Sequence, residues 1–156
     1  MVYWGNGIHM INHSDYEAED KMIFYVDPRL THRMTVRDKW KKRPVVLRYY
    51  SFKDALKEQA KKEGFILKDR LRLNFYIPMP ASWSKKKRRE MFMQPHQQKP
   101  DIDNLVKAFL DSLYEDDSCV HTIEAKKVWY DMGHIMGWDR DWETFPCASS
   151  YSKMLA

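Results

Sequence analysis

The chain has 156 residues, 44% hydrophobic and 31% charged, which places it among ordinary globular chains with room for one domain and its core but not two. No apolar run approaches the roughly 20 residues that span a bilayer, and the N-terminus lacks the pattern of a secretory signal, so a cytoplasmic location is expected. The net charge of +5 hides an asymmetry: between Arg29 and Lys99 there are 21 Lys and Arg against 6 Asp and Glu, while both flanks are acidic.

In chain order, residues 1–22 hold Gly5, Asn6, Gly7 and an acidic run from Asp15 to Asp20, and are expected to be a poorly defined lead-in. Residues 22–26 are apolar and aromatic, a short strand inside a sheet ended by Asp27 and Pro28. Residues 29–50 interleave Arg33, Arg37, Lys39, Lys41, Lys42, Arg43 and Arg48 with Trp40, Tyr49 and Tyr50. Such a mixture can grip phosphates and stack on unpaired bases, or it can be a loop that Trp40 and Tyr50 pin to the core. Ser51 is read as the cap of a helix running to about Glu63, with Phe52, Ala55, Leu56 and Ala60 turned inward and Gly64 as its stop.

Residues 71–80 alternate apolar and polar as far as Ile77 and predict a strand with one buried face. Ser82 or Ser84 then caps a short helix docked by Met91, Phe92 and Met93. It carries five consecutive cations, Lys85, Lys86, Lys87, Arg88 and Arg89. That run exceeds what solubility requires, so a DNA-contacting role is expected over a merely solvated face.

Residues 99–117 carry the densest pattern. Ile102, Leu105, Val106, Phe109, Leu110 and Leu113 form a helical stripe, opposed by Asp103, Asn104, Lys107 and Asp111, with Asp103 and Lys107 four apart. Asp101 after Pro100 is a natural N-cap, the helix should end near Tyr114, and Asp116 and Asp117 follow in a loop. Singly, each acid has a plain explanation: a cap, a partner for the helix dipole, an exposed ion pair, a solvated turn. Together they repel one another unless a cation sits among them, and aspartate oxygens suit Mg2+ or Mn2+. An ion so held activates water and stabilises the charge that develops as a phosphodiester is cut.

Residues 120–130 read as a strand that returns Asp117 towards Asp101 and Asp103 if it lies beside the sheet. Residues 131–156, interrupted by Gly133, Gly137, Pro146 and Ser149, are expected to be an irregular tail or to supply an edge strand within 136–145. Cys119, His121, His134 and Cys147 match no standard zinc spacing, and the two cysteines are expected as free thiols. A Gly-rich phosphate loop, a Gly-x-Ser-x-Gly turn and internal repeats are missing from the sequence.

The run Lys-Pro-Asp-Ile-Asp-Asn-Leu-Val-Lys-Ala-Phe-Leu-Asp-Ser-Leu, followed by Asp-Asp-Ser and a strand with Lys-Lys, resembles the signature of the RusA-type Holliday junction resolvases, over residues 99–128. That family is often carried by phages and prophages. The resemblance makes Asp101, Asp103 and Asp117 counterparts of the metal-binding catalytic acids, and Lys107 the counterpart of the essential lysine. Lys127 takes the place of a basic residue on the following strand, expected to contact DNA. The closing hairpin usual in the family is not evident after residue 130.

Together these readings predict a single α+β domain, a mixed β-sheet with helices packed on one face, and a nuclease unit over residues 23–130. What the resemblance implies is a Mg2+-dependent, structure-selective endodeoxyribonuclease, with Mn2+ as a substitute, that resolves four-way DNA junctions by paired symmetric nicks in recombination and repair. It implies a homodimer, since two symmetric strands must be nicked, in a bacterial host cytoplasm. Two alternatives are a non-catalytic, basic nucleic-acid-binding phage protein and a nuclease for flaps and other branched DNA.

Overall fold

Leu71, Leu73, Phe75 and Ile77 alternate along one strand and are each at most 1% exposed, so a single face of the sheet carries the core. The computed structural model describes residues 22–40, 43–65 and 69–138. Its strands are β1 (Met22–Phe24), β2 (Arg70–Pro78), β3 (Thr122–Tyr130) and β4 (His134–Trp138), and its helices α1 (Pro44–Glu63), α2 (Lys85–Met91) and α3 (Ile102–Leu113). The sheet order is β1-β4-β2-β3, with β2 parallel to β3 and antiparallel to β4, and β4 antiparallel to β1. This is a mixed sheet in an α+β domain, as expected. Among the described residues, no helix is long and apolar enough to cross a membrane.

Both long helices bury one stripe. Val46, Tyr49, Phe52 and Leu56 recur every three or four residues along α1, and Leu105, Ala108, Phe109 and Leu110 do the same on α3. The two stripes meet each other and the inward face of β2, where Phe24, Phe65 and Phe109 pack edge to face with centroids 5.3 to 6.5 Å apart. Each large side chain so buried contributes about 1.5–3 kcal/mol, which holds α3 against the sheet.

Four expectations are corrected. Helix α1 begins at Pro44, in its first turn, rather than at Ser51, because proline's fixed φ suits a position where no N–H is needed. It is therefore Tyr49 that anchors residues 44–50, at 4% exposure, whereas Trp40 is 85% exposed and pins nothing. Strand β1 lies at the sheet edge rather than inside. Conversely, β4 is an inner strand between β1 and β2, where an edge strand or irregular tail was expected: Ile135 is fully buried, and Gly137 faces Leu73, Phe24 and Phe109. The acidic lead-in, Lys41, Lys42, Cys147 and the rest of the tail lie outside the described residues.

The outer edge of β3 is not bare. Residues 93–96 run along it through Met93 N–H to Trp129 C=O (2.9 Å), Trp129 N–H to Gln94 C=O (3.0 Å) and His96 N–H to Lys127 C=O (3.0 Å). Met93 takes φ 62°, a left-handed conformation that turns the chain out of α2 and along the strand. The segment then delivers the chain to Asp101 at the start of α3.

Candidate active site

Helix α3 presents its polar side to solvent beside β3. Its buried stripe leaves Asp103 and Lys107 exposed, one turn apart. The loop after α3 is shaped by Asp116, whose carboxylate accepts the Ser118 N–H at 2.9 Å; that bond holds the Asp116 carboxyl below the usual carboxylate range. Asp116 is thus consumed by the turn, and its neighbour Asp117 is directed to the cavity. Asp103, Lys107 and Asp117 line one open cavity of about 400 Å3, floored by Val106 and Leu110 of α3 and by Ile123 and Ala125 of β3. The parallel pairing of β2 and β3, with Leu71 opposite Ile123 and Leu73 opposite Ala125, is what swings Asp117 back beside the helix.

Asp101 occupies the N-cap position of α3, but its side chain accepts no capping hydrogen bond, so the expected capping role is not the one it plays. It lines a second cavity, of about 410 Å3, on the other side of the helix entrance, with Arg29, His32, Arg33, Lys99 and Asn104. The geometry thus brings Asp103, Lys107 and Asp117 together and sets Asp101 on the adjoining wall. Lys107 pairs with Asp111 at 3.1 Å, one turn further on, rather than with Asp103.

Among the described residues, no group of three Asp, Glu, His or Cys side chains is drawn closely enough together to hold an ion. Cys119, His121 and His134 are accordingly not gathered; His134 instead stacks on Tyr76, centroids 4.2 Å apart, on the opposite sheet face. The donor chemistry of the α3 cavity nonetheless fits Mg2+, which is commonly held by one or two carboxylates while waters and substrate phosphates complete its shell. Asp103 and Asp117 supply such a pair.

Lys127 has a different place from the one its sequence position suggests. Its Nζ donates to the carbonyls of Gln98 (2.6 Å) and Pro100 (2.7 Å), fastening the approach to α3 onto β3. Burial draws this ammonium below the usual lysine range, and the Asp101 charge opposes that shift. His96, one strand position away, packs on Trp129 with its Nδ1 buried and unpartnered, and burial first, then the Lys127 charge, lowers its pKa. Neither role has a local sequence signal.

The five cations fall on and around α2. Ser84 caps the helix by accepting the Lys87 N–H at 3.2 Å, as expected of one of the two serines. Lys85, Lys86, Lys87 and Arg89 are exposed, Lys87 lies 4.3 Å over the Trp83 ring, and Arg88 bonds to Asp131 and the Pro80 carbonyl. Lys85, Arg88 and Arg89 line a third cavity with Phe92, apart from the two at α3.

Compared with known proteins, the chain matches no curated protein and no solved structure. A family model described as endodeoxyribonuclease RusA matches residues 26–136, which span β2, all three helices, β3 and the first residues of β4, and hold every acid and cation of the α3 site. With that match covering more than half its length, the chain belongs to the RusA endodeoxyribonuclease family.

Proposed function

We propose that this chain is a Mg2+-dependent resolvase of four-way DNA junctions, acting as a homodimer that makes paired symmetric nicks in recombination and repair. Family membership supplies the coarser statement, a nuclease of branched DNA. The cavity shared by Asp103, Lys107 and Asp117 supports the metal-dependent part of the finer one, and the resemblance over residues 99–128 supports the four-way junction and the dimer.

When bound, a divalent ion supplies an activated water and neutralises charge on the phosphate. Asp103 and Asp117 would hold that ion, with Asp101 on the adjoining wall adding its negative charge to the field at the site. Lys107 would contact the scissile phosphate and offset the charge that builds on its oxygens. In the free protein Lys107 is occupied by Asp111, but an exposed pair at this helical spacing is worth only about 0.3–0.5 kcal/mol, so a phosphate displaces it readily. Lys85, Lys86 and Lys87 sit in the first turn of α2, where positive charge opposes the helix dipole. Cations placed against that electrostatic cost favour a DNA-holding role over a solvated face.

The test is to mix the purified chain with an end-labelled synthetic four-way junction, with and without Mg2+, beside flap and single-stranded controls. Paired nicks on the junction that require the ion support the proposal. Nicks confined to flaps or single strands would assign the chain to a different branched substrate, and binding without cleavage would reduce it to a DNA-binding protein.

A further inference from the structure

We infer that the cavity on the Asp101 side of the α3 entrance is a preformed subsite for a second DNA phosphate, the neighbour of the one that is cut. The inference rests on the reading that Asp103, Lys107 and Asp117 surround the scissile bond. A strand crossing the entrance of α3 then sets successive phosphates on either side of it. One lies over the carboxylates and Lys107, the other in the cavity lined by His32, Arg33, Lys99 and Asn104.

The balance of charge in this cavity suits an anion. Arg29 is committed to Asp27, with Nη2 to Oδ2 at 2.7 Å, which raises its pKa. Arg33 and Lys99 are exposed and have no carboxylate partner among the described residues. Their two charges outweigh the single carboxylate of Asp101, and the Asn104 amide adds a neutral donor.

Both walls are also held in place before any ligand arrives. Arg33 rides on a loop organised by the buried Asp38 carboxylate, which accepts the Thr35 hydroxyl (2.7 Å) and N–H (2.9 Å), lies 3.2 Å from His32 Nε2 and pairs with Arg43. Those bonds hold the Asp38 carboxyl far below the usual range. Lys99 stands between the two carbonyls that Lys127 fastens, those of Gln98 and Pro100. Neither wall's backbone has to become ordered to receive a phosphate, so the ordering cost is confined to the Arg33 and Lys99 side chains.

The test measures junction binding by the full chain without divalent ion, across a salt series, for Arg33→Gln, Lys99→Gln and the double variant. Lys57→Gln, an exposed cation on α1 outside the cavity, is the control. Thermal melts matching wild type establish that the variants fold. Each single change should weaken binding about tenfold and lower the salt slope by about one, while Lys57→Gln does neither. A neutral methylphosphonate beside the nick position should weaken binding of wild type but not of the double variant. Affinities and slopes equal to those of Lys57→Gln would overturn the subsite. The two readings fail separately: junction nicking that is indifferent to Arg33 and Lys99 removes the subsite alone. Dependence on both residues with no nicking in Mg2+ leaves a phosphate site and removes the catalytic reading.

Discussion

Lys107 is bonded to Asp111 in the free protein, and the proposed mechanism gives it a different partner, the scissile phosphate. Its bond to Asp111 joins two exposed side chains, and a phosphate-binding role for Lys107 requires that bond to be expendable. Asp111→Ala should therefore change the junction cleavage rate by less than about threefold, whereas Lys107→Ala, which removes charge from the transition state, should lower it by about 100-fold or more. Single-turnover cleavage measures both, and equal losses would place Asp111 in the chemistry. His96 makes a separate prediction about stability. Its folded pKa is lowered, so its contribution is intact above the unfolded value of about 6.5 and is lost as pH falls below it, when the unfolded chain takes up a proton that the buried ring refuses. Urea midpoints at pH 7.5 and 5.5 should drop more for wild type than for His96→Phe; parallel profiles would show that the ring is not held neutral.

At the scale of elements, the segment from Met93 to Pro100 is the part that a reading of sequence did not supply. Its bonds follow β3 without any apolar alternation of its own, so it carries no periodic signal. Lys127 reads in the sequence as a DNA contact, and the fold adds a second role, since two of its three donors are taken by carbonyls of this segment. Lys127→Met should slow cleavage by displacing Asp101 while leaving the salt dependence of junction binding unchanged. Neutralising Lys85, Lys86, Lys87 and Arg89 on α2 should do the reverse, weakening binding and flattening its salt slope. A reduced slope for Lys127→Met would return that lysine to the DNA surface. The extent and buried stripe of helix α3, by contrast, were legible, although the missing Asp101 cap bond and the Lys107–Asp111 pair were not. The helix's stripe from Leu105 to Leu110 is set by burial against the sheet, and its polar face holds Asp103 and Lys107. The start of α1 was obscured because Val45, Val46, Tyr49 and Tyr50 are weak helix formers, and tertiary burial of Val46 and Tyr49 overrides that weakness.

Across the whole molecule, the sheet explains which parts of the site could be foreseen. Asp103 and Lys107 share one helix face by spacing alone, so the sequence was sufficient for them. Bringing Asp117 to the same cavity needs the parallel register of β2 and β3, and putting Asp101 on the other wall depends on how Lys127 fastens Pro100. Neither is written in local pattern. The inner position of β4 was hidden for a similar reason: five residues with a glycine read as a break, and only pairing with β1 and β2 makes them a strand. The central claim is that this sheet gathers carboxylates from α3 and from the approach to β3 around a single divalent ion. The measurement that reaches it most directly is cleavage of a labelled four-way junction in Mg2+ by Asp117→Asn, alongside its affinity for the same junction. The account predicts affinity equal to or tighter than wild type, with paired nicking lost. Nicking by Asp117→Asn at a near wild-type rate would contradict it.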